Sequence, residues 1–131
     1  MNIYENNEKA LTALSCGHFL EAQTLLFENA KLFPSHETYQ NLGYYLCSEG
    51  LECKGGKVRN ADNLGLRYLL KAERMKDTSV NQSAIAGEYE KQRDVIFCKT
   101  GIDDPGVCHL ARQHMERAVK IGYSPEAEYN P

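Results

Sequence analysis

Apolar residues recur along most of the chain at intervals of three and four positions, the spacing of one face of an α-helix. In the second segment, for example, Ala22, Leu25 and Leu26 follow this rule. Glycine and proline divide the pattern into six segments, and none alternates with the period of two that marks a strand. The pattern therefore predicts an all-α fold, with helices at about 3–16, 18–32, 36–49, 61–76, 80–98 and 105–121.

The sixth predicted helix has a distinct start signal. Asp104 precedes Pro105, which combines an acidic N-cap with proline at the first helical position. Proline has no N–H group to leave unsatisfied at this position. We therefore expect the helix to begin at Pro105.

Gly43 interrupts the third predicted helix, within the stretch YQNLGYYLCSEG at 39–50. Glycine inside a helix costs about 1 kcal/mol relative to alanine, so another interaction has to offset the loss. Two antiparallel helices pack closely where one side chain is nearly absent. We therefore expect Gly43 to face a neighbouring helix at close range, and Ala86 to do the same in the fifth helix.

The second, fourth and sixth helices share a spacing in which a small residue is followed four positions later by an apolar one. The pairs are Ala22 and Leu26, Gly65 and Leu69, and Ala111 and Met115. Gly17 and Gly50 close the first helices of the first two pairs. This repetition predicts about three antiparallel helix hairpins that stack in order along the chain.

The pattern resembles the tetratricopeptide repeat (TPR) family, whose motif places aromatic, leucine, glycine and alanine residues at set positions. The resemblance is carried by Tyr39, Leu42, Gly43, Leu46 and Gly50 in the second copy, by Gly17, Ala22, Leu26 and Pro34 in the first, and by Ile85, Ala86, Tyr89, Ala111, Met115 and Ala118 in the third. It implies a right-handed α-solenoid that forms one domain over 1–131. The implied repeats are at about 3–34, 36–77 and 79–122.

The resemblance also implies that the first helix of each pair lines a concave groove for a peptide or helix of a partner. The candidate groove residues are Tyr4, Asn7, Leu11, Gln40, Tyr44, Cys47, Ser83, Gly87 and Lys91. Asn7, Gln40 and Ser83 suit hydrogen bonds to a peptide backbone. Tyr44 and Leu11 suit contact with an apolar side chain. The groove lacks the basic cluster of the family's chaperone-tail binders, so that ligand is not expected.

Two connections, 51–60 and 99–104, are longer than the family's turns, as they are in the related Sel1-like repeats. The first contains CKGGKVR at 53–59, where glycines stand among basic residues. Such a stretch suits a phosphate-binding nest or a solvated loop. The solvated loop is favoured because the full phosphate-loop pattern and a preceding strand are both missing.

Composition limits the class of partner. The 131 residues carry a formal net charge of −3, which gives no general attraction to nucleic acid or to an anionic membrane. No apolar run approaches the roughly 18 residues of a membrane span, and the polar start MNIYENNEKA is unlike a signal peptide. We therefore expect a cytoplasmic protein whose five cysteines are reduced.

No group of residues predicts catalysis, a metal site or a cofactor site. Cys98, Cys108, His109 and His114 lie close in sequence, but their spacing does not match common zinc sites. The acidic residues show no carboxylate pair in an apolar setting, and the G-x-S-x-G pattern of a nucleophile elbow is absent. We therefore expect no enzymatic activity.

The sequence predicts a protein-interaction scaffold that binds a peptide or helix of a partner protein. The alternative is an N-terminal regulatory or substrate-docking domain of a larger enzyme. That alternative arises because SPEAEYN at 124–130 resembles the start of another first helix. A third possibility is self-association through exposed stacking faces.

Overall fold

A computed structural model describes residues 3–48 and 63–122. Over those ranges the chain forms six helices and no strand, which confirms the all-α class for the described residues. The helices are α1 (Ile3–Ser15), α2 (Phe19–Leu32), α3 (His36–Ser48), α4 (Leu64–Met75), α5 (Ser79–Thr100) and α6 (Pro105–Ile121). The predictions made for 53–59 and 124–130 concern residues outside the described ranges.

The fifth helix is longer at both ends than the sequence predicts. It begins at Ser79, because Oγ1 of Thr78 accepts a hydrogen bond from the backbone N–H of Asn81 at 3.2 Å and caps the first turn. It ends where Gly101 adopts a φ of 72°, a left-handed conformation that suits glycine after a helix. The predicted long turn at 99–104 is therefore wrong in its first two residues, which are helical.

The start of α6 is confirmed. Oδ1 of Asp104 accepts hydrogen bonds from the backbone N–H groups of Gly106, at 2.9 Å, and Val107, at 3.1 Å. Pro105 occupies the first turn of the helix, as predicted. The cap satisfies two of the N–H groups that a helix start leaves without an intrahelical partner.

The chain divides into two compact units, Met1–Lys76 and Asp77–Pro131. In the first unit α1 packs against α2, α2 against α3, and α3 against α4. In the second unit α5 packs against α6. Consecutive helices therefore pair within each unit, whereas the stacking of three pairs into one solenoid stays a prediction.

The core of the first unit joins its first three helices. Its buried cluster consists of Ala10, Ala13, Ala22, Leu26, Ala30, Leu42, Tyr45 and Leu46. Tyr39 stacks on Tyr68 of α4, with ring centroids 5.9 Å apart. The hydroxyl of Tyr45 donates a hydrogen bond to the carbonyl oxygen of Phe19 at 3.1 Å. Tyr45, which is 3% exposed, therefore lies in the core, and Tyr39 is partly buried against it.

Gly43 of α3 lies close to Gly65 and Leu69 of α4. A Cβ atom added there would be 2.8 Å from the backbone oxygen of Gly65 and 2.9 Å from the side chain of Leu69. Real Cβ atoms do not approach other atoms so closely. The predicted close crossing is therefore confirmed, and Ala86 of α5 is likewise buried, with 1% of its surface exposed.

Candidate functional site

Two of the predicted groove residues lie four positions apart on one face of α1. Leu11 is 63% exposed. Asn7 is half-buried, and its Oδ1 accepts a hydrogen bond from Nδ2 of Asn29 at 3.0 Å. This bond holds the Asn7 side chain against α2. Tyr4 also lies in α1, but its side chain is outside the described part of the structure.

The corresponding face of α3 carries Gln40 and Tyr44. Tyr44 is 56% exposed, and Gln40 is half-buried. Cys47 was also expected in the groove, but it is only 8% exposed and offers little surface to a partner. Tyr44 is therefore the large side chain that α3 presents to solvent.

The remaining groove candidates lie on α5, in the second unit. The hydroxyl of Ser83 donates to the carbonyl of Val80 at 2.9 Å, so this hydrogen bond stays within the helix. Gly87 has open space where a side chain would begin. Lys91 is exposed and forms an ion pair with Glu88 at 2.9 Å. Ser83 and Lys91 thus each contact a neighbouring residue of the same helix.

Two buried amides lie beside the helix crossings, and their burial was not predicted from the sequence. Asn6 and Gln82 lie four positions before Ala10 and Ala86, just as Tyr39 lies four positions before Gly43. Both amides are 2% exposed. A polar residue where the helical period demands an apolar one was the available signal.

The amide of Asn6 is bonded to α2. Its Nδ2 donates to Oδ1 of Asn29 at 3.4 Å, and Asn29 in turn donates to Asn7. Oδ1 of Asn6 is buried and has no hydrogen-bond partner within the described residues. Three asparagines therefore link α1 and α2 through hydrogen bonds beside an apolar core.

Gln82 is the centre of a polar network in the second unit. Its Nε2 donates to Oδ1 of Asp77 at 2.7 Å, and Nε of Arg117 donates to Oδ2 of the same carboxylate at 2.7 Å. Oε1 of Gln82 lies 2.6 Å from Nδ1 of His114, and the His114 ring stacks on Tyr89. Because an amide oxygen can only accept, Nδ1 of His114 carries the proton. The network joins the start of α5 to α6.

A bidentate ion pair fixes the connection between α5 and α6. Nε of Arg93 donates to Oδ1 of Asp103 at 2.6 Å, and Nη2 donates to Oδ2 at 2.8 Å. The hydrogen bond from Arg93 lowers the pKa of the Asp103 carboxyl, and the same bond raises the pKa of the guanidinium. Both effects favour the charged pair.

A cavity of about 290 Å³ opens in the second unit. Its lining residues come from α5 and α6: Ala86, Glu90, Arg93, Cys108, Ala111, Arg112, Met115 and Glu116. Ala111 is 2% exposed, whereas Met115 is 37% exposed. The cavity therefore combines an apolar surface with charged groups.

The candidates weighed for metal binding do not converge. Over residues 3–48 and 63–122, no group of three histidine, cysteine or acidic side chains is arranged to hold a metal ion. His109 and Cys98 are exposed, while His114 is bonded to Gln82. In the same ranges, every helix is too short or too polar to traverse a bilayer.

Basic side chains recur along α4 at positions 67, 71 and 74. Arg67 and Arg74 are exposed, as a solvated face requires. Lys71 is exposed too, but its Nζ lies 4.7 Å from the centroid of the Tyr39 ring. This cation–π contact places the charge over the face of a core aromatic ring.

Comparison with protein-family models, with curated proteins and with solved structures finds no match to the chain.

The helix pairs of the chain do resemble one another, because small residues at equivalent positions of the pairs are buried. These residues are Ala10 and Ala22, Gly43 and Gly65, and Ala86 and Ala111. Each helix pair thus has a small residue on both of its helices.

Proposed function

We propose that this protein is a TPR-like array of helix hairpins that binds a peptide or short helix of a partner protein. The repeated small residues on both helices of each pair support the hairpin array. In such an array the first helix of each pair forms the inner face of the right-handed solenoid. The binding surface proposed here is the one formed by Asn7, Leu11, Gln40 and Tyr44, and we call it the α1/α3 surface.

The observation that carries the proposal is the exposure of one large side chain on each first helix of the first unit. Leu11 and Tyr44 are 63% and 56% exposed, and each follows an amide side chain by four positions on its helix face. Tyrosine gives a large contact area and a polar group at low entropic cost.

The amides complement these apolar contacts. Asn7 uses Oδ1 to accept from Asn29, which orients its Nδ2 group to donate to a carbonyl of a bound peptide. The Gln40 side chain is an amide, which contains a donor and an acceptor of the kind that pair with a peptide backbone. An extended segment bound in this way would place its apolar side chains against Leu11 and Tyr44.

The test is quantitative affinity capture from the source cell with wild-type protein, Leu11→Ala, Tyr44→Ala and Leu20→Ala. Leu20 is a matched control, because it is 59% exposed and lies on a second helix, α2. We expect a specific partner to be lost from the first two variants, with Kd for its binding segment raised at least about tenfold.

Circular dichroism of each variant shows whether it remains folded. Equal capture of every partner by all four proteins would refute the α1/α3 surface. A partner that depends on Leu20 as strongly as on Tyr44 would point to a different face.

A further inference from the structure

The outward face of α4 carries positive charge and no negative charge. The exposed residues of this helix are Arg67, Lys71, Arg74 and Met75. The three basic residues are spaced by four and three positions, so they lie on one face of the helix. They extend over about 10 Å along its axis, at 1.5 Å for each residue. We call these three residues the α4 basic surface.

The stability of α4 does not account for these charges. The first turns of α1, α2 and α3 each contain a glutamate, which interacts favourably with the positive N-terminal end of the helix dipole. The first turn of α4 contains Arg67 and no acidic residue. Arg67 also repels Lys71, four positions later. Two unfavourable electrostatic contributions at one exposed position indicate that this arginine has a role other than stabilising the helix.

The two arginines of the α4 basic surface have no ionic partner in the described ranges. Neither Arg67 nor Arg74 lies within ion-pair distance of a described carboxylate. Lys71 differs, because its ammonium lies 4.7 Å from the centroid of the Tyr39 ring, which holds the middle charge in place. The guanidinium groups can therefore form charge-assisted hydrogen bonds with an external anion.

We propose that the α4 basic surface binds a short segment of a partner protein that is rich in aspartate and glutamate. Charge complementarity supports this occupant, because a guanidinium group pairs with a carboxylate through two parallel hydrogen bonds. The α4 basic surface shares no residue with the α1/α3 surface, so the two surfaces can fail or succeed independently.

The small extent of the α4 basic surface favours a short acidic segment over nucleic acid. A DNA-binding protein that makes about 6–10 phosphate contacts depends on them for much of its affinity. The α4 basic surface supplies only three cations, and helices α1 to α3 of the same unit carry five acidic and two basic residues. A long polyanion would therefore be repelled by the other helices of the unit.

The experiment uses the full chain and a capped, labelled peptide of about twelve residues in which glutamate alternates with serine. Alternate side chains of an extended peptide lie on one side, about 6–7 Å apart, so successive glutamates can reach successive cations. Fluorescence anisotropy at low salt gives Kd, and amide chemical shifts locate the bound peptide. We expect shifts at Arg67, Lys71 and Arg74, and weaker binding as salt is added. The same peptide with glutamine in place of glutamate should not bind.

Arg67→Glu separates binding from folding. It should raise Kd at least about fivefold, because it replaces an attractive charge by a repulsive one. The same substitution should raise the midpoint of urea unfolding, since it puts an acid in the first turn and four positions before Lys71. Weaker binding by a more stable protein cannot result from unfolding.

Arg112→Glu is the matched control, because it makes the same substitution at an exposed position of α6. It should leave Kd within about twofold of the wild type. Equal effects of Arg67→Glu and Arg112→Glu would overturn the proposal, because net charge would then control binding. No binding, binding of the glutamine peptide, or shifts that map elsewhere would also overturn it.

Three further results would assign the α4 basic surface to another occupant and so overturn the proposal. Tighter binding of a single-stranded RNA with the same number of charges would favour nucleic acid. Concentration-dependent shifts at the surface without peptide would favour a second copy of the chain. Tighter peptide binding by the double variant Glu126→Gln, Glu128→Gln would favour the chain's own last residues.

Discussion

Single residues determine how closely the helices of each pair approach. Gly43 could be predicted from the sequence, because an unfavourable residue in a strong helical pattern implies a compensating contact. The roles of Asn6 and Gln82 could not be predicted. Their polarity at core positions was visible, but Asn29 and His114, which bond to them, lie 23 and 32 positions away. Only the packed helices bring these groups together.

Substituting alanine for Gly43 should destabilise the protein, although alanine is the better helix former. The added Cβ meets the backbone oxygen of Gly65, which cannot rotate away. The overlap costs about 1–3 kcal/mol and exceeds the roughly 1 kcal/mol that alanine gains in helix propensity. Urea unfolding of Gly43→Ala should therefore show a lower midpoint than the wild type.

Gly87→Ala is the matched control, since Gly87 is also helical but has open space at its Cβ position. It should gain up to about 1 kcal/mol of stability from the same propensity difference. A gain in both variants would show that α3 and α4 can separate at no cost.

At the scale of helices, capping signals were more informative than the ends of apolar patterns. Asp104 and Pro105 identified the start of α6 correctly. The end of α5 was predicted too early because its last turns are exposed, with Phe97 at 53%, so burial imposes no apolar period there. Gly101 was the stop signal that governed the end of the helix.

The ion pair between Arg93 and Asp103 should make stability depend on pH in the acidic range. The pKa of Asp103 lies below its ordinary value of 3.8 in the folded protein. The contribution of this group is therefore fully present above about pH 4 and is lost as the pH falls below that value. Asp103→Asn should lower the urea midpoint at pH 6, and the difference from wild type should shrink towards pH 3.

Asp94→Asn is the control, because Asp94 is an exposed acid on α5, the helix that carries Arg93. Both partners of the Arg93 pair are exposed enough for salt to screen them, so the Asp103→Asn effect should also shrink in high salt. An Asp103→Asn difference that is the same at pH 6 and pH 3 would contradict the assignment.

For the whole molecule, the all-α class could be predicted because each helix carries its own periodic signal. The division into units of 1–76 and 77–131 could not, since it depends on which consecutive helices pack against each other, and the pattern of a single helix does not show this. The two units are also built differently. The first has leucines and aromatic rings in its core, whereas α5 and α6 bury Ile85 and three alanines next to the Gln82 network.

This difference predicts unequal protection of backbone amides. The slowest exchange is expected in α3 and α4, around Leu46 and Leu69, which are 1% and 0% exposed. Amides around Ala111 and Ala118 should open at a lower free energy, because small side chains bury less apolar area. Hydrogen exchange by NMR in increasing urea measures these energies. Convergence of all amides on one opening energy would show a single cooperative unit.

The amides at positions 6 and 82 also restrict which helices can pair. Asn6 finds an acceptor on α2, and Gln82 finds partners on α6, whereas Tyr39 is matched by the ring of Tyr68 on α4. If α1 or α5 docked on α4 instead, a carboxamide would lose its hydrogen bonds, which costs about 1–3 kcal/mol for a buried group. Mispaired folding intermediates are thereby disfavoured, and exchanging helices between the pairs should yield proteins that fold poorly despite an unchanged composition.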